Sequence, residues 1–316
     1  MTFPMALCAA LLLDALLGDP RRVPHPVRAI GWLVSHLEAR LHDGTCRRGV
    51  ALCCAVLGAT GLSVACVLLV ASPWPRALWA AEVLMLWWAL ACRSLKDETL
   101  PVALALFEHD LPRARTAVSR VVGRDVDMLD EEGVARAAVE TVAESAVDGV
   151  FAPMLWAAFG WALGGGAGMA IFAWLFKAAS TLDSMVGYDD ERYRLFGRAS
   201  ARLDDALCFV PARAGGLAIV AASACVGGHP LRALRTFLRD RKKHASPNSA
   251  HAESAFAGAL DLRLGGGATY AGTFEPRPWI GGGAPPRAAD ILAALRLLDA
   301  SVALLALLIM LPFALS

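Results

Sequence analysis

Apolar and polar positions alternate along this chain in long blocks. The apolar segments lie at about residues 2–17, 50–71, 77–95, 150–176, 206–228 and 289–315. Residues 50–71 contain no charged side chain and are long enough to cross a hydrocarbon core about 30 Å thick. The pattern predicts an all-α, polytopic integral membrane protein.

Two of these segments do not fit a simple crossing. Residues 150–176 consist of two short apolar halves around "GGGAG", and neither half reaches the roughly 20 residues that a span requires. We therefore predict broken or re-entrant helices there, which require surrounding protein or a water-filled cavity. The segment 206–228 contains Pro211, Arg213 and a glycine pair, and its depth in the membrane stays open.

Composition supports the membrane assignment, because 57% of the residues are hydrophobic and only 19% are charged. Basic residues cluster between apolar segments instead of forming one basic face, which argues against a nucleic-acid partner. The eight cysteines lack CxxC spacing and predict packing roles.

Charge in the loops predicts the topology. The first polar loop contains six arginines, and positive charge favours the cytoplasmic side: Arg21, Arg22, Arg28, Arg40, Arg47 and Arg48. We expect a multi-pass protein of the cytoplasmic (inner) membrane with its site facing the cytoplasm. We also expect one integral membrane domain over residues 1–316, with cytoplasmic helical and loop regions at 96–149 and 229–288.

The first candidate block, residues 14–31, follows the first apolar segment. Its prolines fix φ and present Asp19, His25 and Arg28 on a stiff turn. The alternative is a membrane-exit loop whose arginines meet lipid headgroups.

The second block places Glu140, Glu144 and Asp148 at i, i+4 and i+8, on one helical face. Magnesium prefers such hard oxygen ligands and often binds carboxylates together with nucleotide phosphates. The face therefore predicts support for a metal–nucleotide complex, and a solvated amphipathic helix is the alternative.

The third block is "KAASTLDSMVGYDDERYRLFGRASARLDD", residues 177–205, directly after an apolar segment. Its acids suit a divalent cation and its arginines suit a polyanion, since a guanidinium binds phosphate through two parallel donors. A structural salt-bridge network is the rival explanation.

The fourth block, residues 239–272, joins a basic cluster to His244, Asn248, His251, Glu253 and a glycine triplet. The glycines permit close backbone approach to a ligand, but they match no known phosphate loop. Pro247 lies between the two histidines, which argues against a zinc pair, and no hydrolytic triad is evident.

Taken in order, several motifs resemble the adenosylcobinamide-phosphate synthase family of the CobD/CbiB type. They are "GDPRRVPHPVRAIG", "VGRD" at 122–125, "ETVAES" with "VDGVFAP", "TLDSMVGYDDERYRLFG" with "SARLDD" and "PAR", "KHASPN" with its following "HAE", and "RPWIG". They cover residues 14 to about 281. The family pattern has asparagine where this chain has Ser145, Ser180 and Cys208.

The resemblance implies a membrane enzyme of cobalamin biosynthesis. Such an enzyme is a carbon–nitrogen ligase that joins adenosylcobyric acid to (R)-1-aminopropan-2-ol O-phosphate, with ATP and Mg²⁺ as cofactors. The implied partners are these small molecules and the lipid bilayer, and association with further copies or other pathway enzymes stays open.

The resemblance also implies roles for individual residues. It implies catalytic roles for Asp148, Asp183, Asp204, Asp205 and His244. It implies substrate or phosphate binding by His25, Arg28, Lys177, Arg192, Arg198, Arg202, Arg213, Asn248 and Glu253, and metal binding by Glu140, Glu144, Asp148 and Asp183. A membrane transporter and a corrinoid-binding scaffold without turnover are the alternatives.

Overall fold

The computed structural model describes residues 2–20, 25–270 and 272–314. Arg21 and Arg22, which contributed to the predicted topology, and Pro24 of the predicted stiff turn lie outside the described residues. The helices are α1 (Phe3–Leu17), α2 (Pro26–Leu41), α3 (Cys46–Ala71), α4 (Pro75–Ala89), α5 (Cys92–Phe107), α6 (Leu111–Val118), α7 (Glu131–Ala146), α8 (Ala152–Val186), α9 (Arg198–Ala222), α10 (Pro230–Asp240), α11 (Ser249–Leu260) and α12 (Ala288–Ala314).

Short irregular and extended elements complete the described chain. A π-helical turn covers Val147–Phe151 and a 3₁₀ turn covers Ser223–Val226. The three-residue strands are β1 (Arg263–Gly265), β2 (Ala268–Tyr270), β3 (Thr273–Glu275) and β4 (Trp279–Gly281), which pair antiparallel as β1 with β4 and β2 with β3. The predicted all-α class is confirmed, with these two small antiparallel strand pairs as the sheet content of the described residues.

Five helical segments are long and apolar enough to cross a membrane: Cys46–Ala71, Pro75–Phe107, Glu131–Val186, Arg198–Val226 and Ala288–Ala314. Helix α1 is apolar as well but has only 15 residues. The segments agree with the polytopic prediction.

The chain divides into two compact units, each described by itself. Unit 1 comprises residues 1–91, 148–208 and 309–316, and unit 2 comprises residues 92–147 and 209–308. In unit 1, α8 packs against α1, α2, α3 and α4. Its core includes Val34, Leu52, Val56, Trp174 and Phe196, all buried.

Helix α8 of unit 1 folds back on itself. Its backbone is non-helical at Gly164 and Gly165, and the Trp156 and Phe172 rings stack with centroids 6.3 Å apart although sixteen positions separate them in sequence. At 1.5 Å per residue a straight helix would hold these residues about 24 Å apart. The predicted broken hairpin is therefore confirmed, with its reversal at the glycine triplet.

The predicted helix over 77–95 is interrupted. Helix α4 ends at Ala89, Leu90 is extended, and α5 begins at Cys92. The Ala91 amide lies in this break and donates to the Gly149 carbonyl, 3.0 Å away, in the π-helical turn. An acceptor outside its own helix thus satisfies a donor that the break would otherwise leave unpaired.

In unit 2, α7 packs against α5, α6 and α11, while α10 and α11 lie side by side. Strand β4 contacts both α10 and α11, and β1 contacts α7 and α11. The β1–β4 pair therefore lies against the helices that carry the second and fourth candidate blocks.

Candidate functional site

Many of the candidate residues form two groups, one in each unit. The first group, in unit 1, is named here the aspartate cluster and consists of Asp148, Asp183, Asp204, Asp205 and Lys177. The third block is not a loop throughout: the end of α8 carries Lys177 and Asp183, whereas the start of α9 carries the two later aspartates.

The π-helical turn positions Asp148. Such a turn contains an extra residue relative to an α-helix and often occurs at functional sites. The Cys208 thiol on α9 contacts Asp148 Oδ1 at 3.3 Å and acts as the donor. Cys208 is buried, and its thiol supplies a weaker hydrogen bond than an amide donor would.

The aspartates lie within electrostatic range of one another. Asp183 interacts with Asp148 and Asp205, and Asp204 interacts with Asp148 and Asp183. Lys177 interacts with Asp148 and Asp19 and supplies the opposing charge. One oxygen of Asp204, Oδ1, is buried and has no hydrogen-bond partner among the described residues.

An excess of carboxylates around one lysine favours a bound cation, because like charges in a half-buried site repel one another. Among the described residues no three aspartate, glutamate, histidine or cysteine side chains are arranged as a complete metal site. Mg²⁺ needs no such arrangement, since it commonly keeps several waters and takes only one or two protein carboxylates. The buried Asp204 Oδ1 is a ligand of the type that a hydrated Mg²⁺ uses.

The first block partly joins this group. His25 caps α2 by accepting the Val27 amide at 3.2 Å, and its Nε2 lies 3.4 Å from Asp19 Oδ1. Asp19 in turn interacts electrostatically with Lys177. Arg28 is exposed on the first turn of α2, so its predicted phosphate contact stays a prediction.

Arg192 has a local structural partner. Its guanidinium donates to Glu38 on α2 at 2.9 Å, and the Tyr193 hydroxyl donates to the same carboxylate at 2.6 Å. His42 Nε2 also lies 3.1 Å from the Arg192 carbonyl. These contacts tie the segment after α8 to α2, and they agree with the salt-bridge alternative for this part of the third block.

Arg198 and Arg202 lie on α9 and are exposed. Their predicted phosphate binding is neither supported nor excluded by these positions and stays a prediction.

The second group, in unit 2, is named here the mixed-charge pocket. It is lined by three acids, a histidine and three cations, with glycines of the β1–β2 connection at its edge: Glu140, Glu144, Glu253, His244, Arg124, Lys243, Arg277, Gly265 and Gly267. Glu140 and Glu144 of the second block thus line one pocket, whereas Asp148 belongs to the aspartate cluster.

Glu140 is the anchor of this pocket. Its Oε2 accepts from Arg124 at 2.6 Å and its Oε1 accepts the Gly265 amide at 2.7 Å. The Glu140 side chain is buried and that of Arg124 is largely shielded from solvent. Burial alone lowers the pKa of Arg124, but the charge and hydrogen bond of Glu140 outweigh it, so the net pKa is raised. Both oxygens of Glu140 are therefore engaged, and its predicted metal role stays a prediction.

The "VGRD" motif holds the β2–β3 hairpin beside the pocket. The Asp125 amide donates to the Thr269 carbonyl at 2.8 Å, and its carboxylate accepts the Gly272 amide at 2.7 Å. Gly266 has φ +83°, and a Cβ there would lie 2.3 Å from the Trp279 ring. Glycine is required at this position both for the backbone angle and for the contact.

His244 is neutral in this pocket. Burial and the nearby Arg277 lower its pKa, and its Nδ1 accepts the Ser246 amide at 3.0 Å. The neutral ring therefore carries its proton on Nε2, which acts as a hydrogen-bond donor.

A hydrogen bond connects the side chains of Asn248 and Arg213. Asn248 accepts from Arg213 at 3.2 Å, and the Arg213 guanidinium lies 3.4 Å from the Phe209 ring centroid. Both residues therefore have protein contacts, and their predicted roles in substrate binding stay predictions.

Glu253 differs from the other acids of the pocket. It is 7% exposed and forms no hydrogen bond or ion pair with any residue that the structure describes. Burial first, and then the neighbouring carboxylates Glu140 and Glu144, raise its pKa well above the ordinary value. Arg277 and Arg124 oppose this rise from within electrostatic range.

A fully buried aspartate supports the pocket from behind, and the sequence analysis did not identify it. Asp240 accepts from Arg239 at 2.8 and 2.6 Å, from Lys243 at 2.7 Å and from the Gly281 amide at 2.8 Å. Burial raises its pKa, but these donors outweigh burial and lower it to about 2. The network orients Lys243 and fixes β4.

Arg124 and Arg277 were also missed as site residues. Arg124 belongs to the quoted "VGRD" and Arg277 to "RPWIG", so the motifs contained a signal. No sequence signal marked Asp240, because its partners include a backbone amide 41 residues away.

Fold and sites together define a helical integral membrane protein. Its charged groups gather at helix ends and beside the glycine-rich connection between β1 and β2. The structure gathers part of the predicted site residues in two groups, one in each unit.

The chain belongs to the CobD/CbiB protein family, whose model matches residues 7–298. It is 46% identical over 282 residues to "Cobalamin biosynthesis protein CobD" of Pelobacter propionicus, covering 88% of this chain and 85% of that protein. It is 42% identical over 308 residues to the protein of the same name from Stutzerimonas stutzeri, covering 96% and 95%. It is 42% identical over 284 residues to "Cobalamin biosynthesis protein CbiB" of Salmonella arizonae, covering 88% and 86%. No solved structure matches the chain.

Proposed function

We propose that this protein is an enzyme of cobalamin biosynthesis, an ATP-dependent ligase that forms an amide between adenosylcobyric acid and (R)-1-aminopropan-2-ol O-phosphate. The observation that carries the proposal is family membership along residues 7–298, with relatives named as cobalamin biosynthesis proteins over most of their length. The two ionic groups support it, since one reactant is a nucleotide and another is a phosphorylated amine.

The reaction requires an activated carboxyl group, because a free carboxylate is a poor electrophile. In the proposed sequence the terminal phosphoryl group of ATP passes to the corrinoid carboxylate, and ADP leaves. The amine nitrogen then displaces phosphate and loses its protons as the amide forms. The protein has to hold anionic reactants together and keep water out.

The aspartate cluster suits the nucleotide step. Asp148, Asp183 and Asp204 would hold Mg²⁺, which when bound supplies positive charge to phosphate oxygens. Lys177 balances part of the aspartate charge and would contact a phosphate oxygen directly. The Cys208 thiol and the π-helical turn keep Asp148 in place.

The direct test is product formation by purified protein with ATP, Mg²⁺, adenosylcobyric acid and aminopropanol phosphate, with threonine phosphate as a competing amine. We expect an amide product that is lost in Asp183→Asn and Asp204→Asn and kept in the exposed control Asp127→Asn. Corrinoid binding without product would support the scaffold alternative.

The proposed location is the cytoplasmic membrane, with both groups on the cytoplasmic side. Labelling of a cysteine at position 190 in a Cys-free background tests it. Labelling of intact cells from outside would contradict the placement.

One observation favours a second candidate, a membrane transporter. Glu82 on α4 is 7% exposed within a candidate span, and a Cβ at Gly166, beside the reversal of α8, would lie 2.1 Å from its carboxyl carbon. Ionisable side chains inside membranes often mark ion paths. Uptake by reconstituted vesicles that depends on Glu82, without ligase product, would favour this candidate.

A further inference from the structure

Glu253 is an acid that the fold leaves without a partner. Four other charged side chains of the mixed-charge pocket have partners within the protein. Arg124 pairs with Glu140, Lys243 pairs with Asp240, and Arg277 donates to the Tyr270 hydroxyl at 2.9 Å. A buried carboxylate without a hydrogen bond is costly, and sites that bind ligands are where such a cost persists. Glu253 therefore points to a ligand group that is a donor and carries positive charge.

The opposite side of the same pocket is suited to an anion. Arg277 remains 35% exposed at its side chain, and Arg277 and Arg124 both lie within electrostatic range of Glu253. Guanidinium groups bind phosphate oxygens with two parallel donors. Arg277 uses Nη2 both for the Tyr270 hydroxyl and for an ion pair with Glu275 at 3.8 Å, which leaves its Nη1 and Nε donors available. The glycines at 265–267 bring backbone close to the pocket without side chains in the way.

We propose that the mixed-charge pocket binds a small phosphorylated primary amine, with Glu253 receiving the ammonium and Arg277 the phosphate. The identity of the natural ligand rests on the proposed function, which makes it the aminopropanol phosphate. Glu140 does not compete for the ammonium, because its two oxygens are taken by Arg124 and Gly265. His244 Nε2 supplies a neutral donor beside the phosphate.

This assignment separates the two ionic groups by task. The aspartate cluster, with its excess of negative charge, takes the cation and nucleotide, and the pocket with balanced charges takes the zwitterion. Glu253 then selects amines over other phosphate esters, since an ester without an amine leaves the buried carboxyl unpaired.

The test measures binding and not turnover. Purified full-length protein, in detergent with EDTA and without ATP or corrinoid, is titrated calorimetrically with aminopropanol phosphate and, separately, with propyl phosphate, which lacks the amine. We expect the wild type to prefer the amine. Removing a charged hydrogen bond in a buried site weakens binding by roughly 10- to 100-fold, so Glu253→Gln should lose that factor for the amine and change little for propyl phosphate.

Arg277→Gln provides the complementary variant. It should weaken both ligands by a similar factor, because both carry the phosphate. Glu108→Gln, an exposed glutamate of the same unit, is the matched control and should bind both ligands as the wild type does. Near-equal affinity of the wild type for the two ligands, or an unchanged preference in Glu253→Gln, would overturn the proposal.

The outcomes for the pocket and for the proposed ligase are distinguishable. Amine-selective binding that depends on Glu253, with no amide product in the full assay, would keep the pocket and reject the ligase. Amide product together with binding that ignores Glu253 would keep the ligase and reject the pocket.

Discussion

The ion pair between Arg124 and Glu140 provides the sharpest test of how the mixed-charge pocket is built. The two side chains are 12% and 8% exposed and their nearest atoms are 2.6 Å apart. Removing one partner of a buried pair leaves a charge without compensation, which typically costs about 3–5 kcal/mol. Glu140 also accepts the Gly265 amide, and stranding a buried amide costs about 1–3 kcal/mol.

These magnitudes separate two substitutions at one position. Glu140→Gln keeps an amide oxygen for Gly265 and should lower the free energy of unfolding by about 3 kcal/mol. Glu140→Ala loses both interactions and should lower it by about 5 kcal/mol. Combining Glu140→Gln with Arg124→Met removes both charges, so the double variant should recover a coupling energy of about 2 kcal/mol.

The assay is unfolding in mixed detergent micelles followed by tryptophan fluorescence, since the chain has nine tryptophans and Trp279 lies in β4. Arg113 and Glu108 form the matched control, an ion pair with side chains 55% and 57% exposed. Glu108→Gln should cost less than about 0.5 kcal/mol, because solvent screens exposed pairs. Losses below about 1 kcal/mol in both Glu140 variants, additive with Arg124→Met, would show that the pair is hydrated and refute the reasoning.

Three further predictions concern other parts of the molecule. Gly160→Ala should destabilise the α8 hairpin by about 2–3 kcal/mol in the same assay, because its Cβ would lie 2.2 Å from a backbone carbonyl oxygen of the opposing half of α8. A Cβ at the control position Gly58 meets nothing within 4 Å, so Gly58→Ala should be neutral. Equal effects of the two substitutions would refute the close approach. Burial first, then nearby cations, lowers the pKa of His251 to about 4. As the pH falls from 6.5 to 4 the unfolded chain therefore binds this proton before the folded chain does, and about 3 kcal/mol of stability should be lost. His251→Gln should remove this pH dependence of the unfolding free energy, and a wild-type profile that is flat over this range would contradict the prediction. Cys208→Ala leaves Asp148 without the thiol donor and should lower the unfolding free energy by about 1 kcal/mol. Cys208→Asn restores a donor, so its loss of unfolding free energy should be less than half of the loss in Cys208→Ala. Equal losses in the two variants would mean that the sulfur only fills space.

Much of the architecture followed from the sequence, because membrane insertion imposes a strong local rule. A long apolar segment must satisfy its backbone hydrogen bonds internally, so length and hydrophobicity predict spanning helices without knowledge of their neighbours. The same rule predicted the broken hairpin, since the two halves around "GGGAG" were too short to span separately. The break at Leu90 was not predicted, because it depends on an acceptor at Gly149 that is distant in sequence.

The site divided differently. Residue type and spacing were enough to select the ionic blocks, since clustered acids and arginines beside apolar segments are costly without a purpose. Spacing alone put Glu140, Glu144 and Asp148 on one stripe, but Asp148 lies inside the π-helical turn Val147–Phe151, where the helical register changes, and it joins the aspartate cluster instead.

The spanning helices and the chemical nature of the charged blocks could be predicted, because each depends on residues within a few helical turns, and the order of the motifs carried the family resemblance. Which charges neutralise one another depends on contacts that form only when the chain folds. Arg192 pairs with Glu38 and Arg124 with Glu140, while Glu253, at 7% exposure, forms no hydrogen bond or ion pair with a described residue. The energy of a charge in a protein depends on its burial and on partners brought close by folding, and neither is a property of the local sequence.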